Sequence, residues 1–191
     1  MKRYNKPSKS TWETICKRPE INSADLSSIV NGILENVKIN GDSAIRRYAE
    51  KYDGVSLKNL LTSDKEISQS NEQVSEDLKS AIQLAKKNIE CFHKGQKESI
   101  NRIVTSDGVE CWRESRAIEK VGLYIPGGTA PLFSTVLMLG IPAKLAGCGE
   151  IVLCTPPAKD GSVHPAILYT ADLIGINTIF KVGGALSLIH I

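Results

Sequence analysis

The sequence predicts an α/β fold in which a mainly helical region with one β-hairpin precedes a βαβαβ unit built on a parallel sheet. Up to about residue 120, apolar residues recur at the three- and four-residue spacing of amphipathic helices. After that point, short apolar runs that end at proline or glycine alternate with apolar segments of helical length. Strongly apolar strands that alternate with helices are typical of a parallel sheet covered on both faces.

The first part of the chain predicts four helices and a hairpin after a polar, aperiodic arm at residues 1–22. A helix that follows the capping residue Ser23 is broken at 40–42, and a second helix ends at 53–54. Ser63 and Glu66 form a capping box for a third helix, and a fourth runs over about 75–93. Residues 103–112 alternate like a β-hairpin with its turn at 107–108. We place a domain junction near residue 120, so that 23–120 form part of the first domain.

The second part, residues 121–185, reads as strand, helix, strand, helix, strand. Pro126, Gly127 and Gly128 end the strand at 121–125. Gly140 interrupts the apolar helix that follows, and Pro142 is expected to begin a second helical piece. The remaining elements are a strand at 150–154, a helix at Pro165–Leu173 and a strand at 178–182 before Gly183 and Gly184.

This order predicts an incomplete, Rossmann-like mononucleotide-binding unit, whose ligand would lie beyond the carboxyl ends of the strands. Tyr124 and the glycine pairs at 127–128 and 183–184 are expected to meet at that edge. From the residues alone, Tyr124 is equally consistent with stacking on a ligand ring and with packing against a helix. Because the unit ends after three strands, the strand at 178–182 is expected to leave an aggregation-prone edge.

Composition excludes several other classes. The 191 residues are 41% hydrophobic and 24% charged with a net charge of +3, which argues against disorder and against binding to nucleic acid or an anionic membrane. The longest apolar run is too short and broken to span a bilayer, and the polar N-terminus shows no secretory signal. The five scattered cysteines form no C-x-x-C pair, and we interpret them as reduced thiols, mostly in the core, of a cytoplasmic protein.

Short motifs of known chemistry are missing from the sequence. The three histidines, His93, His164 and His190, have no partners at metal-ligand spacing, and surface or helix-end positions explain them. The sequence contains no G-x-S-x-G, G-x-G-x-x-G or G-K-[ST] motif. These patterns therefore predict only an α/β domain with a possible nucleotide crevice.

A longer stretch of sequence is more specific. The segments VGLYIPGGTAPLFSTVLML at 121–139, IPAKLAGC at 141–148 and VLCTPP at 152–157 closely resemble the histidinol dehydrogenase family. The segments GDSAIRRY at 41–48, KNIECFH at 87–93 and IFKVGGA at 179–185 extend the resemblance over roughly residues 20–185.

The resemblance implies a zinc-dependent cytoplasmic homodimer that oxidises L-histidinol to L-histidine in two hydride transfers to NAD, at the end of histidine biosynthesis. It implies a fold with two incomplete Rossmann-like domains. This chain would supply the NAD-binding side of the active site, including Tyr124, Gly127 and Gly128. Tyr124 matches the tyrosine with which the family contacts NAD, which favours its cofactor role. The chain departs from the family at Leu186, where a glutamine that contacts NAD is expected. The family's zinc ligands and its acid–base Glu-His pair lie beyond this sequence, and His190 is not assigned as a ligand.

The tail at 186–191, LSLIHI, is what CTG TCT CTT ATA CAC ATC encodes, which looks like a transposase adapter used in sequencing libraries. We hypothesise that this tail is an artefact and that the chain is an N-terminal fragment without dehydrogenase activity. Two alternatives stay open at this point. One is a short, non-catalytic nucleotide-binding homologue, and the other is an unrelated α/β domain that binds carbohydrate or phosphate.

Overall fold

The computed structural model describes residues 3–17, 23–128 and 130–183. It confirms the α/β class, with an antiparallel hairpin and a three-stranded parallel sheet. Expectations for Thr129, Gly184 and residues 185–191 lie outside the described residues. The helices are α1 (Lys9–Cys16), α2 (Ser23–Tyr48, continued by a π-helical turn at Ala49–Asp53), α3 (Asp64–Gln73), α4 (Glu76–Lys94), α5 (Phe133–Ala146) and α6 (Pro165–Leu173). The strands are β1 (Arg102–Ser106), β2 (Val109–Trp112), β3 (Lys120–Tyr124), β4 (Glu150–Thr155) and β5 (Ile179–Lys181).

Helix α2 is two helices joined at a sharp bend. Gly41 has φ 52° and ψ −137°, a conformation that side chains rarely adopt, which explains the predicted break. The two halves contact each other across this bend, where the side-chain amide of Asn36 donates to the Tyr48 hydroxyl at 2.7 Å. Much of the apolar stripe in the first half stays exposed, and Ile33 is buried. The predicted arm contains a helix, α1, that has no buried residue.

Helices α3 and α4 begin at side-chain caps. The Ser63 hydroxyl accepts from the backbone N–H of Glu66, while the Glu66 carboxylate accepts from the Ser63 N–H at 2.9 Å, which completes the predicted capping box. The Ser75 hydroxyl accepts from the backbone N–H of Leu78 and so caps α4 without a reciprocal bond from the third helical residue. Ile67 of α3 and Ile82 of α4 are buried in the same core as the parallel sheet. That core therefore includes residues on both sides of the junction predicted near residue 120.

The hairpin β1–β2 has the predicted turn, with Gly108 at φ 78°. All of its strand residues are exposed. Arg102 connects the two strands, since its guanidinium lies 4.5 Å from the centre of the Trp112 ring and 3.2 Å from the Glu110 carboxylate. The hairpin therefore depends on contacts within itself rather than on the core.

The parallel sheet has the strand order β3-β4-β5. Its register pairs Tyr124 with Cys154, and Cys154 with Phe180. The predicted strands and their parallel direction are thus confirmed. Helix α5 connects β3 to β4, and α6 connects β4 to β5. Gly147, at φ 91°, ends α5 as a left-handed cap.

The predicted interruption of α5 is wrong, because one helix runs through both Gly140 and Pro142. A Cβ at Gly140 would lie 2.9 Å from Cδ1 of Ile176 and would also collide with Ile174. Gly140 is therefore a point of close approach between α5 and the chain after α6, not a helix stop. Pro142 removes one N–H donor from a helix that is anchored in the core by Val136, Leu137 and Ile141.

Helices cover the two faces of the sheet unequally. Alternate residues of the strands, among them Leu123, Leu153 and Ile179, lie in the core with α5 and α6, and α3 and α4 pack outside those helices. On the opposite face, Phe180 packs on a small cluster formed by the π-helical turn and the loop after it, comprising Ala49, Val55, Leu57 and Leu60. Among the described residues, the expected cover on both faces is therefore complete only on the α5–α6 side.

The predicted exposed edge of β5 is also wrong. The Lys181 N–H donates to the Leu60 carbonyl at 2.7 Å, and the Thr62 N–H donates to the Ile179 carbonyl at 2.9 Å. Leu61 pairs with Phe180 in an antiparallel bridge. The segment 60–62 therefore occupies the outer edge of β5, an arrangement that sequence periodicity does not reveal because these residues are far apart in the chain.

Candidate functional site

A cavity of about 500 Å³ lies beyond the carboxyl ends of the parallel strands. The turns after β3 and β4, the start of α6 and the end of the π-helical turn form its walls. The lining residues are Asp53, Pro126, Gly127, Gly128, Ala130, Pro131, Thr155, Pro156, Pro157, Ala158, His164 and Ile167. This is the edge at which doubly wound sheets bind their ligands.

Two glycines pack closely against Pro156, which lines the crevice. A Cβ at Gly127 would lie 2.5 Å from Cγ of Pro156. A Cβ at Gly183 would lie 2.7 Å from Cα of the same proline and 3.0 Å from Oδ1 of Asp53. Both glycines are therefore required by packing of the protein against itself. Gly128 differs, because no atom lies within 4 Å of its Cβ position, and its backbone is open to a ligand.

Two helices begin at this cavity. Pro131 lines it two residues before α5, and His164 lines it as the capping residue of α6. The Nδ1 atom of His164 accepts the Ala166 N–H at 3.2 Å, so the ring is held in place by the helix that it caps. The N-terminal ends of helices carry partial positive charge and favour anions. The geometry therefore suits a ligand that carries phosphate or carboxylate groups.

A partly buried ion pair ties β5 to α3 near this edge. The Lys181 ammonium lies 2.5 Å from Oε1 of Glu66, and only 10% of the lysine side chain is exposed. Burial alone would raise the pKa of Glu66, but hydrogen bonds from Lys181 and Ser63 outweigh it and hold the pKa below its ordinary value. The lysine charge is thus satisfied by Glu66 and does not line the cavity.

The structure places the three predicted site residues differently. Gly127 and Gly128 line the cavity. Tyr124 is half-buried at the end of β3, on the face opposite α5 and α6, and is not among the lining residues. It lies beside Cys154 in the sheet register, and burial raises the pKa of the Cys154 thiol. Gly183 is also absent from the lining, and Gly184 lies outside the described residues. The assignment of Tyr124, Gly127 and Gly128 to cofactor binding stays a prediction.

Sequence reasoning missed Asp53 and His164 as lining residues. Asp53 was placed at a helix end and His164 at the surface or a helix end, and His164 does cap α6; both residues reach the cavity only through tertiary packing. The Pro156-Pro157 pair follows a buried strand, so the reasoning that places Gly127 at the carboxyl edge of the sheet places this pair there too, and both prolines line the cavity. The cysteines also differ from expectation, because Cys16, Cys91 and Cys111 are exposed, while Cys148 and Cys154 are partly buried.

The described residues contain no group of three or more histidine, cysteine or acidic side chains placed to hold a metal ion. None of the helices in the described part of the chain is both long and apolar enough to cross a membrane. A second cavity, of about 930 Å³, lies between the hairpin, the segment after α4 and the end of α5. It is lined mainly by exposed polar residues, and the free Cys111 is among them.

A three-stranded parallel sheet with a crevice at the carboxyl ends of its strands defines the chain as an α/β protein. The family model described as histidinol dehydrogenase matches residues 16–189. The chain belongs to the histidinol dehydrogenase family.

Close relatives carry the same name. A histidinol dehydrogenase of Bacteroides thetaiotaomicron is 52% identical over 184 residues, which are 96% of this chain and 43% of the relative. One from Bacteroides fragilis is 51% identical over the same shares of both chains. The crystal structure of histidinol dehydrogenase from Elizabethkingia anophelis superposes with a TM-score of 0.88 at 51% identity, over 95% of this chain and 42% of that one. The chain therefore spans less than half the length of these relatives.

Proposed function

We propose that the chain is the N-terminal part of an NAD- and zinc-dependent histidinol dehydrogenase, a cytoplasmic homodimer that oxidises L-histidinol to L-histidine. The observation that carries the proposal is the crevice beyond β3 and β4 in a chain of this family. Nucleic acid and membranes are not its partners in this proposal. The chain alone supplies the NAD-side wall and has no dehydrogenase activity.

The described residues fit part of a dinucleotide. The backbone at Gly128 has room for a phosphate group, and the starts of α5 and α6 supply the positive ends of helix dipoles. The Asp53 carboxylate lines the same cavity, where it can accept hydrogen bonds from ribose hydroxyls. Tyr124, one residue before the turn, would contact the cofactor where it extends past the cavity. NAD, when bound, would accept the hydride from the substrate alcohol.

Zinc does not fit the described residues. No group of metal-ligating side chains is present in residues 3–17, 23–128 and 130–183, so no step of the reaction is assigned to a metal here. We propose that the ligands, together with the proton-transfer groups, lie in the part of the full-length relatives that this chain does not span.

Calorimetric titration with NAD tests the site. The variant Gly128→Leu fills the open space beside the turn, and we expect it to weaken NAD binding about 10-fold or more, equivalent to about 1.4 kcal/mol. The control Gly32→Leu replaces another glycine with open space around it, in α2 and outside the cavity, and should bind NAD as the parent does. Absence of NAD binding by the parent chain, or equal affinity of both variants, contradicts the assignment.

An absorbance assay at the NADH band tests the activity of the fragment. With L-histidinol, NAD and zinc present, we expect no turnover above a blank without protein, whereas the full-length Bacteroides thetaiotaomicron relative should give turnover. Measurable turnover by this chain refutes the proposal that it is inactive alone.

The short nucleotide-binding homologue also predicts NAD binding without turnover. Long-read sequencing of the genomic DNA beyond codon 185 separates the two. A reading frame that continues with glutamine and reaches zinc ligands supports the enzyme fragment, and a genuine stop codon after Ile191 supports the short homologue.

A further inference from the structure

Lys181, the last residue of β5, carries a charge that is almost completely removed from solvent. Only 10% of its side chain is exposed, and its ammonium lies 2.5 Å from Oε1 of Glu66 in α3. Lysine is rarely buried to this extent unless a carboxylate compensates for the lost hydration. Helix α3 is itself fixed, because it packs on α6 and buries Ile67 in the core. The place that α3 gives to Glu66 therefore determines where the lysine side chain lies.

A second carboxylate attracts the same ammonium from the loop between β4 and α6. Hydrogen bonds from Ser162 chiefly hold the pKa of Asp160 below its ordinary value, and the charge of Lys181 adds a smaller contribution. Asp160 is exposed, so water and salt screen its attraction for the lysine. Glu66, at hydrogen-bond distance and partly buried, is therefore the stronger partner of Lys181.

The backbone around Lys181 borders the crevice. In the parallel register Lys181 pairs with Thr155, which lines the cavity. Two residues after Lys181, a Cβ at Gly183 would lie 2.7 Å from Cα of Pro156 and 3.0 Å from Oδ1 of Asp53. Both of these neighbours of Gly183 line the cavity. A displacement of the end of β5 would therefore move backbone against which the cavity wall packs.

The ion pair holds the end of β5 in a way that the sheet does not. The strand comprises only three residues, and on its outer side the Lys181 N–H donates to the Leu60 carbonyl at 2.7 Å. That bond fixes the strand within the sheet, whereas the pair with Glu66 fixes it to a helix outside the sheet. A buried ammonium that loses its carboxylate is costly, so the end of β5 would have to move for the lysine to reach water.

We propose that Lys181 is a positioning residue for the cavity, because its ion pair with Glu66 holds the backbone after β5 against the cavity wall. Lys181 does not line the cavity and does not touch the ligand. Loss of the pair shifts the wall around Pro156 and so weakens ligand binding. With NAD as the ligand, this role of Lys181 rests on the proposed function, whereas its effect on the wall does not.

Calorimetric titration of the chain with NAD compares Lys181→Met with a matched control. The control is Lys79→Met, since the side chain of Lys79 is 14% exposed and its ammonium lies 2.7 Å from Oε1 of Glu76, in α4 and outside the cavity. We expect Lys181→Met to weaken NAD binding about 5-fold or more, and Lys79→Met to leave it unchanged. Lys181→Arg keeps the charge that pairs with Glu66, so it should bind NAD almost as the parent chain does.

The NMR signal of the Gly127 amide gives a second readout that needs no ligand. Gly127 is distant from Lys181 in the chain but packs against the same Pro156 as Gly183. We expect glycine-selective labelling to show this signal shifted in Lys181→Met, returned toward the parent position in Lys181→Arg, and unshifted in Lys79→Met. A role confined to overall stability would lower the melting temperature and leave the signal of the folded chain in place.

Glu66→Gln tests the other side of the pair if Lys181→Met does not fold. The glutamine amide oxygen can still accept from the ammonium, so the loss of NAD affinity should be smaller than in Lys181→Met and in the same direction. Parent-like NAD affinity and an unshifted Gly127 signal in Glu66→Gln would then overturn the proposal.

Three results with folded variants also decide against it. Unchanged NAD affinity or an unshifted Gly127 signal in Lys181→Met shows that the pair does not position the cavity wall. An equal loss of affinity in Lys79→Met shows that the effect is not specific to Lys181. A parent chain that binds no NAD contradicts the proposed function and the role of Lys181 in NAD binding together, whereas equal affinity of the parent and Lys181→Met contradicts only the role of Lys181.

Discussion

Pro156 lies between two glycines that follow the strands on either side of it. Gly127 and Gly183 both approach the proline ring closely, whereas Gly128 approaches nothing. At the sequence level all three positions look alike, because proline- and glycine-rich turns are ordinary features of strand ends. The structure separates glycines needed for packing from the one that is free to meet a ligand.

Alanine substitutions at these three glycines should show this difference. We expect Gly183→Ala to lower the free energy of unfolding most, by about 2–3 kcal/mol, because the added methyl group meets backbone as well as ring atoms of Pro156. Gly127→Ala meets mainly Cγ of the ring, which can shift, and should lower it by about 1 kcal/mol. Gly128→Ala should change it least. Urea unfolding followed by circular dichroism gives the order, and an equal loss at Gly128 and Gly183 would argue against this packing.

Tyr124 shows the limit of reading single residues from sequence. The family motif identified it as a cofactor residue, and strand periodicity placed it near the end of β3, where the structure also has it. Whether its ring reaches the crevice depends on the course of the turn after the strand. Gly127 in that turn packs against Pro156, 29 residues further along the chain. No local pattern contains that information.

Helix α3 and strand β5 are joined by the Glu66–Lys181 pair, 115 residues apart. The capping box at Ser63 and Glu66 could be predicted because both partners lie in one local motif. The ion pair between Glu66 and Lys181 could not be predicted, since nothing in the sequence near Lys181 indicates which carboxylate it contacts. The same limit explains why the cover of β5 by 60–62 was missed, and why Gly140, which packs on Ile174 and Ile176, was interpreted as a break.

The pair makes stability depend on pH in a defined direction. Because the folded-state pKa of Glu66 lies below its ordinary value of 4.5, the stabilisation is present above about that pH and is lost as the pH falls through the folded-state value. We expect Glu66→Gln to lower the free energy of unfolding by about 1–2 kcal/mol at pH 7, toward the lower end for charged hydrogen bonds since 34% of Glu66 is exposed. The difference from the parent chain should shrink below pH 4.5.

Glu90→Gln is the matched control. Its hydrogen bond with Lys86, four residues earlier on α4, also lowers the pKa of Glu90, but pairs of this kind on a single helix are worth only about 0.3–0.5 kcal/mol. Chemical denaturation at several pH values compares the two variants. A loss at Glu66 that is no larger than at Glu90, or that persists unchanged in acid, would show that the pair does not stabilise the contact between α3 and β5.

At the scale of the whole molecule, the described chain divides into a packed core and exposed appendages. The core combines α3 to α6 with the parallel sheet, while the hairpin and α1 bury no residue. The α/β class and the parallel sheet were predictable from hydrophobic period alone. The one-sided cover of the sheet was not, because periodicity reports that a strand is apolar and not which element covers each face.

Hydrogen exchange should reproduce this division. Amides of α5 and β4, which lie in the core, should exchange most slowly, and those of the hairpin 102–112 at least about 100-fold faster, because the hairpin can open without disturbing the core. Exchange followed by mass spectrometry measures both in one sample, with α4 as a second core element. Protection of the hairpin equal to that of β4 would mean that it is held by contacts other than its own.

The placement of Pro156 against Gly127 and Gly183 also has a consequence for recognition. Glycine and proline have no flexible side chain to reorder. The wall formed by Pro156, Gly127 and Gly183 therefore keeps one conformation whether or not a ligand is bound. A ligand therefore binds to a preformed surface there, and little binding free energy is spent on ordering that surface. Any induced fit must come from other parts of the cavity lining.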